Sequence, residues 1–227
     1  MAARTQGAHR EQRPAFLRGV RLPGSPGPVD VELADGRIEG VRPAAADGGP
    51  RDGGLLCLPA FADLHVHADR AFEPGPRPPR SLADAIELAE AVRATSGEEE
   101  VAERGQRLLD RALLHGSVHV RSHADTGPTI GLRAVSGLAR VRAERRDGPE
   151  LEIVAFASAD LDPASAEGRR MLAEAADAGA DLLGAFVAFH PAPDRSLDAL
   201  LELAGELDLP VDVHLDENAT SEGSWLE

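Results

Sequence analysis

The sequence predicts an α/β protein, an incomplete (β/α)8 TIM-type barrel with about five of the eight βα units, preceded by a small β element. Three observations predict it. Short apolar runs recur along most of the chain, each separated from the next by a longer stretch of helical period. Glycines fall where a helix would hand over to a strand. Histidines stand at the carboxyl ends of several of the apolar runs, the end at which such barrels carry their chemistry.

Residues 1–14 are polar and Arg-rich without periodicity and are expected to form a mobile leader, in which His9 is solvated. Residues 15–54 are expected to hold the small β element and a linker. Val29 to Leu33 and Arg37 to Val41 have strand character and are joined by the turn signal Ala34-Asp35-Gly36, and Pro43 to Gly54 is rich in loop residues. Residues 55–227 are expected to form the partial barrel. Its strand candidates are part of Leu55 to Val66, then Val118 to His123, Leu151 to Ala157, Leu182 to Phe186 and Val211 to Leu215. Helix candidates lie between them at Ser81 to Ala94, Glu98 to Leu114, Ile130 to Arg145, Ala164 to Ala178 and Ser196 to Leu207. Ser81 and Ser196, each followed by an acidic residue in the first turn, are expected to cap helix starts. Gly116 and Gly179 are expected at helix-to-strand junctions. A closed barrel needs three further strands, so the chain is expected to stop before the barrel is complete.

Composition removes several classes of function. A formal net charge of -15 disfavours a phosphate-backbone partner, so no nucleic acid is expected. Cys57 is the only cysteine and can form no internal disulfide, which fits a reducing cytoplasm. No apolar stretch approaches the roughly 20 residues that span a bilayer, so no membrane is expected. All 24 basic residues are Arg; the chain has no Lys.

The strongest local signal is Pro59-Ala60-Phe61-Ala62-Asp63-Leu64-His65-Val66-His67, an apolar run ending in His-x-His. Side chains alternate faces along a strand, so His65 and His67 point the same way and can share one metal ion; equally, two such histidines can merely line a strand end. The second signal is Val211-Asp212-Val213-His214-Leu215-Asp216-Glu217, where His214 again ends a strand and Glu217 follows within reach for proton transfer. His123 ends the second barrel strand and faces the mouth, with a contact to metal or substrate set against a packing role. His119 and Arg121 share its face by alternation, and His119 is expected to be a buried polar partner. His190, before Pro191, is a candidate substrate contact. Asp69 and Arg70 follow the His-x-His pair and either orient a substrate or form a loop salt bridge. His115 lies in a helix C-terminal turn, where a cation favours the dipole and no catalytic role is needed.

Taken together, PAFADLHVHADRAF, HVRSHADT, LEIVAFASAD and LPVDVHLDE, spanning about Leu55 to Glu217, resemble the cytosine deaminase branch of the amidohydrolase superfamily in order and interval. The resemblance implies a metal-dependent hydrolase of non-peptide carbon–nitrogen bonds that deaminates a small-molecule aminated heterocycle related to cytosine. It implies His65, His67 and His214 as ligands of one divalent metal ion, Fe or Zn, with Glu217 as the proton shuttle. Relatives with two metals bridge them through a carboxylated lysine, which this chain lacks, so a mononuclear site is expected. Two departures stand out. Where cytosine deaminases place a glutamine that reads the pyrimidine, this chain has Ala157-Ser158-Ala159-Asp160, so Ser158 is a candidate substrate contact and a substrate other than cytosine is expected. The family's further histidine on strand six and aspartate on strand eight would fall beyond Glu227. The alternative expectation is therefore a catalytically incomplete fragment, or one part of a split enzyme that needs a complementing C-terminal chain; a homo-oligomer is the other partner considered.

Overall fold

A computed structural model describes residues 15–45, 54–72 and 77–216 of the chain. The leader at residues 1–14 and the shuttle Glu217 lie outside the described residues. The chain divides into two compact units, one closing at Pro59 and the other opening at Ala60.

The smaller unit is an antiparallel sheet in the order β1 (Ala15–Val20), β2 (Val29–Ala34), β3 (Arg37–Pro43). Asp35 and Gly36 join β2 to β3 in two residues, both left-handed, with φ of 49° and 74°. That is the turn whose twist matches a hairpin, and the Asp-Gly pair tolerates it. Val20, Val29 and Val31 are buried, with Leu22, Leu33 and Cys57 packed on them. Residues 55–57 are tied to this sheet by Arg21 N to Leu55 O and Cys57 N to Arg21 O, both 2.8 Å.

The larger unit is a parallel sheet in the order β4 (Phe61–Val66), β5 (Ser117–Thr126), β6 (Glu150–Ala157), β7 (Leu182–Ala185). Residues 211–214 run parallel to β7 as a fifth extended segment, with bridges Leu183 to Val211 and Phe186 to His214. Two helices, α1 (Leu82–Thr95) and α2 (Glu98–Leu114), separate β4 from β5; α3 (Arg133–Glu144), α4 (Ala166–Asp177) and α5 (Pro193–Leu207) follow the next three strands. Sheet and helices make the expected half-barrel.

Alternation assigns the two faces of the sheet. Val120, Ser122 and Ala124 of β5, Leu151, Ile153 and Ala155 of β6, and Leu183 and Ala185 of β7 are buried. All but Ser122 join one core cluster with Leu109 of α2, Leu138 of α3, Leu172 of α4 and Leu200 of α5. The residues between them, His119, Arg121, His123 and Asp125 on β5, Glu152 and Phe156 on β6, and Asp212 and His214 in the last segment, take the opposite face. One face thus carries the hydrophobic stabilisation and the other is left for chemistry.

Helix termini follow local signals in most places. Ser81 caps α1, its hydroxyl accepting from Asp84 N at 3.1 Å. Gly116 and Gly179 sit at the expected junctions with φ of 89° and 113°, and His115 is the C-cap of α2. Ser196 departs from expectation. The helix opens earlier, with Pro193 in its first turn, where a missing N–H costs nothing. Ser196 is buried inside α5, and its hydroxyl reaches Asp162 Oδ1 at 2.7 Å.

Candidate metal centre

Parallel strands bring their carboxyl ends to one side of the sheet, and four histidines meet there. His65 ends β4, His67 follows it, His123 lies in β5, and His214 closes the extended segment beside β7. One ligand atom from each of His65, His123 and His214 lies within 4.8 Å of the others. The ring centroids of His65 and His123 are 4.4 Å apart, and those of His65 and His214 are 4.8 Å apart. His67 stands slightly farther off, its ring 5.4 Å from His123, 5.5 Å from His65 and 5.6 Å from His214. Glu217 lies outside the described residues, so its approach to the cluster is not among these distances.

Burial favours the neutral imidazole at His67, His123 and His214. Burial lowers the pKa of His67 far below the ordinary imidazole range, with the charge of Arg70 and the other histidines adding to the effect. His214 is pushed down to about 4, by burial first and then by His123 and His65. His123 is lowered by burial, with Asp212 opposing. Neutral imidazole is the state that ligates a divalent cation. Nδ1 of His67 is buried with no hydrogen-bond partner. A cation bonded to nitrogen at about 2 Å would satisfy lone pairs of this kind. The residues present therefore fit such an ion.

Beside the histidines is a cleft of about 370 Å³. Phe156 and Phe186 form aromatic walls, with Phe156 4.5 Å and Phe186 6.0 Å from His214 by ring centroids. Arg70 and Arg93 enter from the other side, both paired with the buried Asp125; Arg93 Nη1 donates to it at 2.9 Å. Asp69 is fully buried beside Asp125, and burial followed by that neighbouring carboxylate pushes its pKa up to about 6. Arg70 is thus both a salt-bridge partner and a cleft residue. A larger cleft, about 490 Å³, lies around Arg142, Arg145 and Glu150 and contains no histidine.

The other sequence candidates fall in different places. Ser158 lines the cleft, but its hydroxyl is engaged locally, 2.9 Å from Thr126 O and 2.6 Å from Asp160 Oδ1. His190 is buried, its pKa lowered by burial against the pull of Asp162, and it is not among the cleft-lining residues. His119 is partly buried, with Nε2 3.3 Å from Glu152. Sequence reasoning did not single out Phe156, Phe186, Arg93 or Asp212. The signal for Asp212 was present, since it stands two residues before His214 and so shares its face.

Known proteins bear on this geometry. No family model matches the chain. The chain is 33% identical over 200 residues to the uncharacterized protein YahJ of Escherichia coli (strain K12), covering 82% of this chain and 43% of that protein. It is 29% identical over 203 residues to a pterin deaminase of Rhizobium rhizogenes, covering 86% and 46%. Its fold superimposes with a TM-score of 0.81 and 26% identity on a 5-methylcytosine deaminase from Klebsiella pneumoniae crystallised with 5-fluorocytosine, covering 92% of this chain and 52% of that one. The chain spans about half the length of the relatives it matches.

Proposed function

We propose that this chain, which is similar in sequence and fold to about half the length of amidohydrolase-superfamily deaminases, hydrolyses a carbon–nitrogen bond of an aminated heterocycle at a single metal site. The convergence of histidines at the carboxyl end of a parallel sheet carries the proposal. His65, His67 and His214 would hold the ion, iron or zinc, with His123 against them. The absence of lysine leaves no carboxylated side chain in this sequence to bridge a second ion.

When bound, a divalent cation supplies Lewis acidity, which lets water act as a nucleophile near neutral pH. The protein does the rest. Phe156 and Phe186 offer flat apolar walls to a planar ring and exclude bulk water. Arg70, fixed by Asp125, presents a guanidinium to an oxygen substituent. Glu217 would take a proton from the attacking water and deliver it to the departing nitrogen, which leaves as ammonia or an amine. Ser158 is spent on Thr126 and Asp160, so it contributes the shape of the wall more than a hydrogen bond to the ring. A cytoplasmic setting is consistent with a single free cysteine, and no described helix is long and apolar enough to cross a membrane.

A second reading is favoured by β4, where Phe61 and Leu64 are 55% and 48% exposed on a strand that, among the described residues, pairs only with β5. Such an edge invites further strands, and activity would then require a complementing chain. Metal analysis of the purified chain beside Glu217→Gln, with ammonia release from aminated pyrimidines, triazines and pterins, tests both. About one equivalent of iron or zinc and release that depends on Glu217 supports a working deaminase. Metal without release supports the second reading, and absence of both overturns the metal site.

A further inference from the structure

Below the histidines, on the same face of the sheet, lies a chain of charged groups that the proposed reaction does not use. Arg121, two residues before His123 on β5, donates from Nε to Glu152 of β6 at 2.8 Å and from Nη1 to Asp212 Oδ2 at 2.9 Å. The other oxygen of Asp212 lies 3.2 Å from His123 Nε2. Asp212 itself is pinned by its backbone, its N–H donating to Leu183 O at 2.9 Å, and His214 N–H donates to Ala185 O at 3.0 Å. One guanidinium therefore spans three strands, and one carboxylate joins β5 to the segment that carries His214.

We propose that Arg121 and Asp212 are positioning residues for the histidine cluster, holding His123 and the segment that carries His214 so that their nitrogens converge with that of His65. The inference rests on the metal-site reading above. Two observations carry it. One oxygen of Asp212 accepts from Arg121 and the other lies 3.2 Å from His123 Nε2, so the carboxylate stands between the two side chains. His123 is fully buried, so the orientation of its ring is set by neighbours and not by water. Carboxylates that orient imidazoles near a metal characteristically change affinity tenfold to a hundredfold when removed. The planar fork of Arg121 bridges two acceptors at once, which a lysine ammonium reproduces poorly.

The test compares the full chain with Asp212→Asn, Arg121→Met and Arg121→Lys. Each is titrated with Zn²⁺ against a competing chelator, and the visible absorption of the Co²⁺ form is recorded, with far-UV circular dichroism as the check on folding. The expected result is a loss of Zn²⁺ affinity of about tenfold or more in Asp212→Asn and Arg121→Met, with an altered Co²⁺ spectrum. Arg121→Lys should fall between Arg121→Met and wild type. A purely structural ion pair would lower the melting temperature and leave both affinity and spectrum of the folded variants at wild-type values; that result overturns the positioning role. If the wild-type chain itself takes up neither ion, the metal-site reading fails first and the inference with it. Should Asp212→Asn not fold, the Arg121 pair decides, since that side chain touches no proposed ligand.

Discussion

At the residue scale, the histidines were legible because strand alternation fixes which side chains share a face. His65 and His67 follow from x-alternation within six residues, and His214 from its place at the end of an apolar run. His123 showed the same pattern, yet one sequence cannot say whether a strand-end histidine packs or ligates. The structure places it within 4.8 Å of His65 and His214 by ligand atoms. Replacing His65 with Ala should abolish metal uptake, and unchanged stoichiometry by elemental analysis would refute the ligand set. Ser158 lines the cleft, but what its hydroxyl touches was not legible, for a physical reason. A buried hydroxyl needs a partner, and its partners are supplied by residues 32 before and two after it, a closure invisible in sequence. Ser158→Ala should therefore cost about 1 kcal/mol of stability, read as a shift in denaturation midpoint, and change substrate affinity little. A large loss of substrate affinity at unchanged stability would return Ser158 to the substrate.

At the element scale, periodicity located the five described α-helices and the four described strands of the parallel sheet, with ends displaced by a few residues, but not the short 3-10 turns at Ala68–Arg70 and Val187–Phe189. The exceptions have causes. Ser196 offered a plausible cap, but Pro193 is the better start because its ring fixes φ and it needs no hydrogen-bond acceptor, and burial of Ser196 against Asp162 then follows. Close packing between helices was not legible, because it depends on partners far apart in sequence. Gly105 of α2 and Leu138 of α3 are an example: a β-carbon on Gly105 would stand 2.6 Å from Leu138 Cδ2. The glycine makes the room that the leucine fills. Leu138 is fully buried, so Leu138→Ala should cost about 2–5 kcal/mol, measured by chemical denaturation. A cost below about 1 kcal/mol would mean that α2 and α3 close over the gap, contrary to the tight contact seen.

At the scale of the whole molecule, the sequence showed a barrel pattern that runs for about five strands, and the larger unit has four strands with a fifth extended segment beside them. What could not be read was how the outer side of the first strand is treated. Natural edge strands are protected by charge, proline or a bulge. On β4, Phe61 and Leu64 are apolar and exposed, and Leu113, Leu114 and Val118, around the end of α2 and the start of β5, are exposed as well. An uncovered set of this kind drives association, since each large apolar side chain removed from water contributes about 1.5–3 kcal/mol. The purified chain should therefore self-associate with rising concentration in sedimentation velocity, and Leu64→Lys should weaken that association, because a charge placed on an edge must be desolvated for another strand to dock. Leu64 points away from the histidine face by alternation, so metal uptake should survive the substitution. If wild type and Leu64→Lys both sediment as monomers at all concentrations, the β4 edge is not an association surface, and the half-barrel is stable with its first strand bare.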